Sequence, residues 1–171
     1  LPGKAVATID EGRKEAHCVL ISPDNKFLYV PYVKNNLALF QYRFDASSGS
    51  VTPLAPANAN PPKGTGPRHL VYHPSLPMVY FTNEQGIGLS TYERRSDGQL
   101  VLRQDIPILP EGMSKVGLSA SDLEITPDGR FIFAGLRGHT QDFDRIVRYR
   151  VRDDGQAELL GLTPADKIPW G

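Results

Sequence analysis

The chain has 171 residues, 40% of them hydrophobic, and its 19 basic and 19 acidic side chains cancel to a formal charge of zero. That length allows one domain with a substantial core, and a balanced charge without a basic cluster gives no support to a nucleic-acid or membrane-surface partner. Cys18 is the only cysteine, so no disulfide forms within the chain and the composition leans to a reducing compartment. The expected location is therefore cytoplasmic, with a leader outside this stretch left open: LPGKAVATIDEG lacks the apolar centre of a signal peptide, and no run approaches the roughly 18 apolar residues of a membrane span.

In chain order, KAVATIDEG (4–12) reads as an outer strand. CVLI (18–21), FLYV (27–30), LALFQYRF (37–44) and VTPLA (51–55) then read as four short strands, with a Pro-Asp turn after the first and a glycine turn, SSGS, after the third. The next four are LVY (70–72), MVYF (78–81), GLSTYERR (88–95) and LVLRQDI (100–106). LPEGMSKVG (109–117) reads as a short helical turn, and LEI (123–125), FIFA (131–134), RIVRYRVR (145–152) and AELLGL (157–162) complete a third set before KIPWG opens another. No stretch keeps the i, i+3, i+4 apolar period of a long helix, and 15 prolines with 16 glycines punctuate the chain throughout.

These sets are copies of one unit. ISPDNKFLYV (21–30), YHPSLPMVYF (72–81) and ITPDGRFIFA (125–134) align without gaps, and their anchors Ser22, His73 and Thr126 lie 51 and 53 residues apart. Four-stranded antiparallel units repeating at about this period are the blades of a β-propeller. An immunoglobulin-like sandwich gives no reason for such register over three copies. The expected fold is all-β, a propeller of four-stranded antiparallel blades with repeats at approximately 16–65, 66–118 and 119–171. Propellers have typically four or more blades, so this stretch is expected to be about three and a half blades of a larger ring.

Superposing the repeats gathers ionisable residues that are far apart in the chain. His17, Arg68 and Ser121 fall five residues before the anchors, and Val33, Glu84 and Arg137 fall eleven after. In a propeller the first slot begins the innermost strand and the second follows its neighbour, so both face one mouth of the central channel. His17, Arg68, Glu84 and Arg137 are thus the candidate site, with Lys34 beside the matched slot in PYVKNN. Each has an ordinary alternative: an Arg68–Glu84 ion pair tying strand to loop, a satisfied core imidazole at His17, a solvated loop arginine at Arg137. His69 is expected on the opposite strand face from Arg68, as a structural residue, because side chains alternate. His73 is expected to serve its turn, and Cys18 to be buried packing. Asp122 and Glu124 share a strand face without metal-specific spacing. No phosphate loop, Cys/His metal motif or nucleophile elbow is present, and neither cofactor nor metal is expected.

HCVLISPDNKFLYVPYVKNN, GTGPRHLVYHPSLPMVYFTNE and LEITPDGRFIFAGLR together resemble the seven-bladed propeller lactonase family. It contains bacterial 6-phosphogluconolactonases of propeller type and fungal 3-carboxy-cis,cis-muconate lactonising enzymes. The resemblance covers essentially the whole chain, a full member being about twice as long, which agrees with the incomplete ring. Its proposed active-site cluster of histidine, arginine, glutamate and arginine falls by motif on His17, Arg68, Glu84 and Arg137. The loop in FAGLRGHTQDFDR is longer than the commoner form, which leaves the fit near Arg137 open. The resemblance implies a small anionic lactone or carboxylate substrate and one of two reactions. In hydrolysis of 6-phosphogluconolactone, His17 or Glu84 is the base, while Arg68 and Arg137 bind phosphate or oxyanion. In muconate cycloisomerisation the arginines clamp carboxylates. Arginines on both sides favour ionised Glu84 and leave His17 the better acid–base group. A non-catalytic binding scaffold is the reading from another class, and oligomeric state is left open.

Overall fold

The proline-centred turns of the three repeats close in one way. Ser22 Oγ accepts the Phe27 N–H at 3.0 Å and donates to Asp24 at 2.5 Å, and Thr126 Oγ1 accepts the Phe131 N–H at 3.1 Å while donating to Asp128. His73 occupies the same place in the middle repeat, where its Nδ1 accepts the N–H groups of Leu76 at 2.9 Å and Ser75 at 3.2 Å. All three side chains supply the acceptor a tight turn needs.

The computed structural model describes residues 8–139, 142–166 and 169. Among these residues twelve strands form three four-stranded antiparallel sheets, each in up-and-down order. The first holds β1 (Leu20–Ile21), β2 (Phe27–Pro31), β3 (Leu39–Asp45) and β4 (Ser50–Asn58). The second holds β5 (Pro67–Tyr72), β6 (Met78–Asn83), β7 (Gly88–Arg94) and β8 (Leu100–Pro107). The third holds β9 (Leu118–Ile125), β10 (Phe131–Gly138), β11 (Arg145–Val151) and β12 (Ala157–Pro164). The sequence reading differs in small ways. Residues 109–117 make turns without a helix, and a 3-10 turn lies instead at Lys34–Asn36. Of the outer strand expected at 4–12, residues 4–7 lie outside the described residues and 8–12 are not strand; KIPWG lies outside them except for Pro169.

Blade faces pack on each other to form the core. Phe27, Tyr29 and Leu39 of the first blade meet Leu70, Val79, Phe81 and Tyr92 of the second, whose other face meets Leu123, Ile132, Leu136 and Tyr149 of the third. Covered on both sides, β6 is buried at every position, which accounts for the unbroken apolar run MVYF. Hydroxyls latch each blade to the next: Tyr29 donates to the Gly98 carbonyl at 2.6 Å and Tyr80 to the Gly155 carbonyl at 2.8 Å. Gly98 has φ +91° and a Cβ there would sit 2.1 Å from Phe27 Cδ1. Gly98→Ala is therefore expected to cost about 2–4 kcal/mol in urea unfolding, through strain and core displacement together.

The innermost strands share one irregularity. Between the pairs Pro67↔Asn83 and Leu70↔Phe81, Arg68 and His69 of β5 oppose the single residue Thr82. Between Ala120↔Leu136 and Leu123↔Ala134, Ser121 and Asp122 of β9 oppose Gly135. The bridge Ala16↔Tyr32 and the pair Leu20↔Tyr29 differ by the same one-residue slip, at His17 and Cys18 and their neighbour. Every inner strand thus carries a β-bulge at the same repeat position, and bulges re-aim side chains.

Candidate active site

At the bulged ends of the inner strands, groups from different blades converge. Glu84 follows β6 and is fixed by its backbone: its N–H donates to the Gly66 carbonyl at 2.8 Å, and its carbonyl accepts the Ala120 N–H of the next blade at 3.2 Å. Arg68 Nε, from β5 of the same blade, lies 3.2 Å from Glu84 Oε2, and Arg137 Nη2, from β10 of the next blade, lies 3.5 Å from Oε1. One carboxylate is thus held between two guanidiniums, Arg68 with 7% and Arg137 with 4% of the side chain exposed. Arg137 Nη2 also donates to the Ala120 carbonyl at 3.4 Å, and burial beside Arg68 lowers its pKa from the ordinary arginine value. Arg68 Nη1 is buried and has no hydrogen-bond partner among the described residues. Two cations against one anion, with a donor unused, leave a site that attracts a further negative group.

His17 joins them from the strand edge before β1, its N–H donating to the Pro31 carbonyl at 3.0 Å. Partial burial and the charges of Arg68, His69 and Arg137 push its pKa from 6.5 down to about 4. The imidazole is therefore neutral at physiological pH. Because the unfolded chain takes up this proton first, stability is expected to fall as pH drops from 6.5 towards about 4. His17→Gln should flatten that part of a urea-stability profile against pH.

The structure brings Arg68, Glu84 and Arg137 into contact, with His17 within electrostatic reach of both arginines, and gives Lys34 a different partner. Lys34 has positive φ, 61°, its N–H is held by Gln85 Oε1 at 2.6 Å, and its ammonium pairs with Glu15. It lies in an outer groove with Gly12, Arg13 and Lys14, close to the mouth but already committed to a carboxylate.

His69 corrects the sequence reading. The bulge interrupts the alternation on which its opposite-face placement rested, and its ring lies 5.0 Å from that of His17 while Nδ1 contacts Asp122 Oδ1 of the third blade. Both side chains are partly open to solvent. Superposition of the repeats carried a usable signal here: Cys18, His69 and Asp122 occupy one slot, immediately after His17, Arg68 and Ser121. Cys18 is half-buried against the core, and burial raises its thiol pKa, which makes it a poor thiolate. Asp122 and Glu124 both border a largely apolar hollow of about 170 Å³ beside β10, lined also by Leu123, Phe133, Ile146 and Pro169. That hollow offers carbon surface and carboxylates, whereas the cations lie at the arginine pair.

Fold and site together define a propeller with an anion-attracting mouth built across blades. Residues 3–169 match the family described as Lactonase, 7-bladed beta-propeller. The chain belongs to that family. It is 34% identical over 174 residues to the 6-phosphogluconolactonase of Cronobacter sakazakii (strain ATCC BAA-894), a match covering 100% of this chain and 50% of that protein. It is 33% identical to the 6-phosphogluconolactonase of Klebsiella pneumoniae (strain 342), again over 100% of this chain and 50% of the relative. The chain spans about half the length of these relatives. Among solved structures, the periplasmic gluconolactonase of Pseudomonas aeruginosa superposes with a TM-score of 0.79 at 25% identity, over 90% of this chain and 42% of that one. Among the described residues no helix is long and apolar enough to cross a membrane.

Proposed function

We propose that this chain supplies three adjoining blades of a seven-bladed lactone hydrolase, and that its substrate is a small anionic sugar lactone, best represented by 6-phosphogluconolactone. The observation that carries the reading is the buried Arg68–Glu84–Arg137 cluster, which holds two guanidiniums against one carboxylate beside the neutral imidazole of His17. Blade order then accounts for the geometry, because sheets stacked about one axis bring these distant residues to one opening.

In the reaction, water attacks the lactone carbonyl and His17 accepts the proton that water loses. Arg68 and Arg137 hold the substrate's phosphate or the developing oxyanion, where charge-assisted hydrogen bonds in a partly desolvated site are strong. The tetrahedral carbon then expels the ring oxygen, which leaves as a hydroxyl once protonated. Glu84 keeps the guanidiniums in place and is already engaged by both, which suits a positioning role better than that of base. The bound anion also corrects a weakness of the free site: its charge offsets the arginines that depress His17 and so raises the basicity of the imidazole in the complex.

The names of the relatives favour hydrolysis over cycloisomerisation, although arginines of this kind would also clamp a dicarboxylate. A phosphorylated lactone does not cross membranes unaided, and a cytoplasmic setting follows for the proposed substrate. The test is turnover by the complete protein of 6-phosphogluconolactone, unphosphorylated gluconolactone and a carboxymuconate, side by side. Preference for the phosphorylated lactone is expected. Turnover of the muconate alone, or of none, would overturn the reading.

A further inference from the structure

The mouth holds a second histidine in a built setting. The His69 N–H donates to Thr82 Oγ1 at 3.3 Å, and that hydroxyl, fully buried, donates in turn to the Ser121 carbonyl at 2.8 Å. One hydroxyl therefore ties the bulge of β5 to the bulge of β9 and fixes how His69 stands to Asp122. The contact between His69 Nδ1 and Asp122 Oδ1, the tilted His17 ring 5.0 Å away, and partial solvent access of both side chains complete the arrangement.

We propose that His69 is a second proton-transfer residue of this site, carrying the proton that His17 takes from water and returning it to the departing ring oxygen, with Asp122 as its positioning residue. This rests on the lactonase reading. The Asp122 carboxylate accepts the Nδ1–H, which fixes the tautomer of His69 and leaves Nε2 as the basic nitrogen. The charges around the ring are Arg68 on its own strand, Arg137 on β10, Asp122 on β9, His17 before β1, and Glu84 after β6, itself bound to both arginines. Burial and Arg68 lower the pKa of His69, while Asp122 opposes them. The free site is thus ready to accept a proton. Two neighbouring imidazoles facing two guanidiniums cannot both be charged at little cost, and His69 is the one with Asp122 in contact.

The step balances without a co-reactant. The water oxygen bonds to the carbonyl carbon and its proton passes to His17 and on to Nε2 of His69. When the ring C–O bond breaks, its electron pair stays on the ring oxygen, which takes the proton from the His69 imidazolium, and both imidazoles are neutral again.

Two measurements on the complete protein test this. Long-range ¹H–¹⁵N NMR of the imidazoles needs no turnover: His69 is expected as the Nδ1–H tautomer, and Asp122→Asn should shift its titration to lower pH. An Nε2–H tautomer in the wild-type protein, or a titration indifferent to Asp122→Asn, overturns the proposal. In lactone turnover, His69→Gln and Asp122→Asn are each expected to lower kcat on the order of 10²-fold, with KM changed little. Wild-type kcat in both variants would sink the role of His69 and leave the lactonase reading standing. A wild-type protein that opens no lactone would sink the parent reading, and this role with it.

Discussion

Arg68→Ala is expected to lower kcat/KM for an anionic lactone by about 30- to 5,000-fold, measured in the complete protein. Removing one partner of a buried, hydrogen-bonded charge pair costs about 2–5 kcal/mol, and about 1.36 kcal/mol corresponds to each factor of ten. The stability cost should be smaller than the functional one, since Arg137 still lies 3.5 Å from Glu84 and the carboxylate is not left alone. Arg68→Lys should restore little, because an ammonium offers one compact charge centre in place of the planar, forked guanidinium that faces Glu84. The discriminating comparison is between phosphorylated and unphosphorylated lactone. If Arg68→Ala handles both as the wild type does, the substrate anion binds elsewhere.

His17→Ala is the second large effect expected, a fall in kcat of about 10²–10⁴-fold with a smaller change in KM, the range for loss of a positioned acid–base group. Its pH dependence carries the sharper test. In the free protein His17 is held down at about 4, so the acid limb of kcat/KM should lie well below the 6.5 of an ordinary histidine. Once a phosphate sits against the arginines, the same imidazole is easier to protonate, and the acid limb of kcat should appear at higher pH than that of kcat/KM. Coincident limbs, or a kcat/KM limb near 6.5, would show that the arginines do not act on the catalytic imidazole. Gly98→Ala, by contrast, should lower stability without moving either limb.

The architecture was legible because the chain states it three times. Turn prolines, the acceptors Ser22, His73 and Thr126, and the tyrosines of the third strands recur in register, so strand order and blade identity followed from spacing alone. The convergence of Arg68, Glu84 and Arg137 was legible for the same reason. What remained hidden depends on single residues that break the period. A bulge adds one residue without a compositional marker here, since Arg68–His69 and Ser121–Asp122 contain no glycine. Strict alternation therefore placed His69 on the wrong face. The setting of Lys34 was hidden for a related reason: its positive φ lies in a 3-10 turn peculiar to the first repeat among the described residues, and its partner Glu15 stands 19 residues earlier in the chain.

The grip on Glu84 has a consequence for how such a molecule fails. One guanidinium comes from its own sheet and the other from the neighbouring sheet, so the spacing that matters to an anion belongs to the seam between them. A seam can slacken while each sheet keeps its ladder of hydrogen bonds. Warming or mild denaturant should therefore loosen the arginine–carboxylate cluster first and melt the β-structure later.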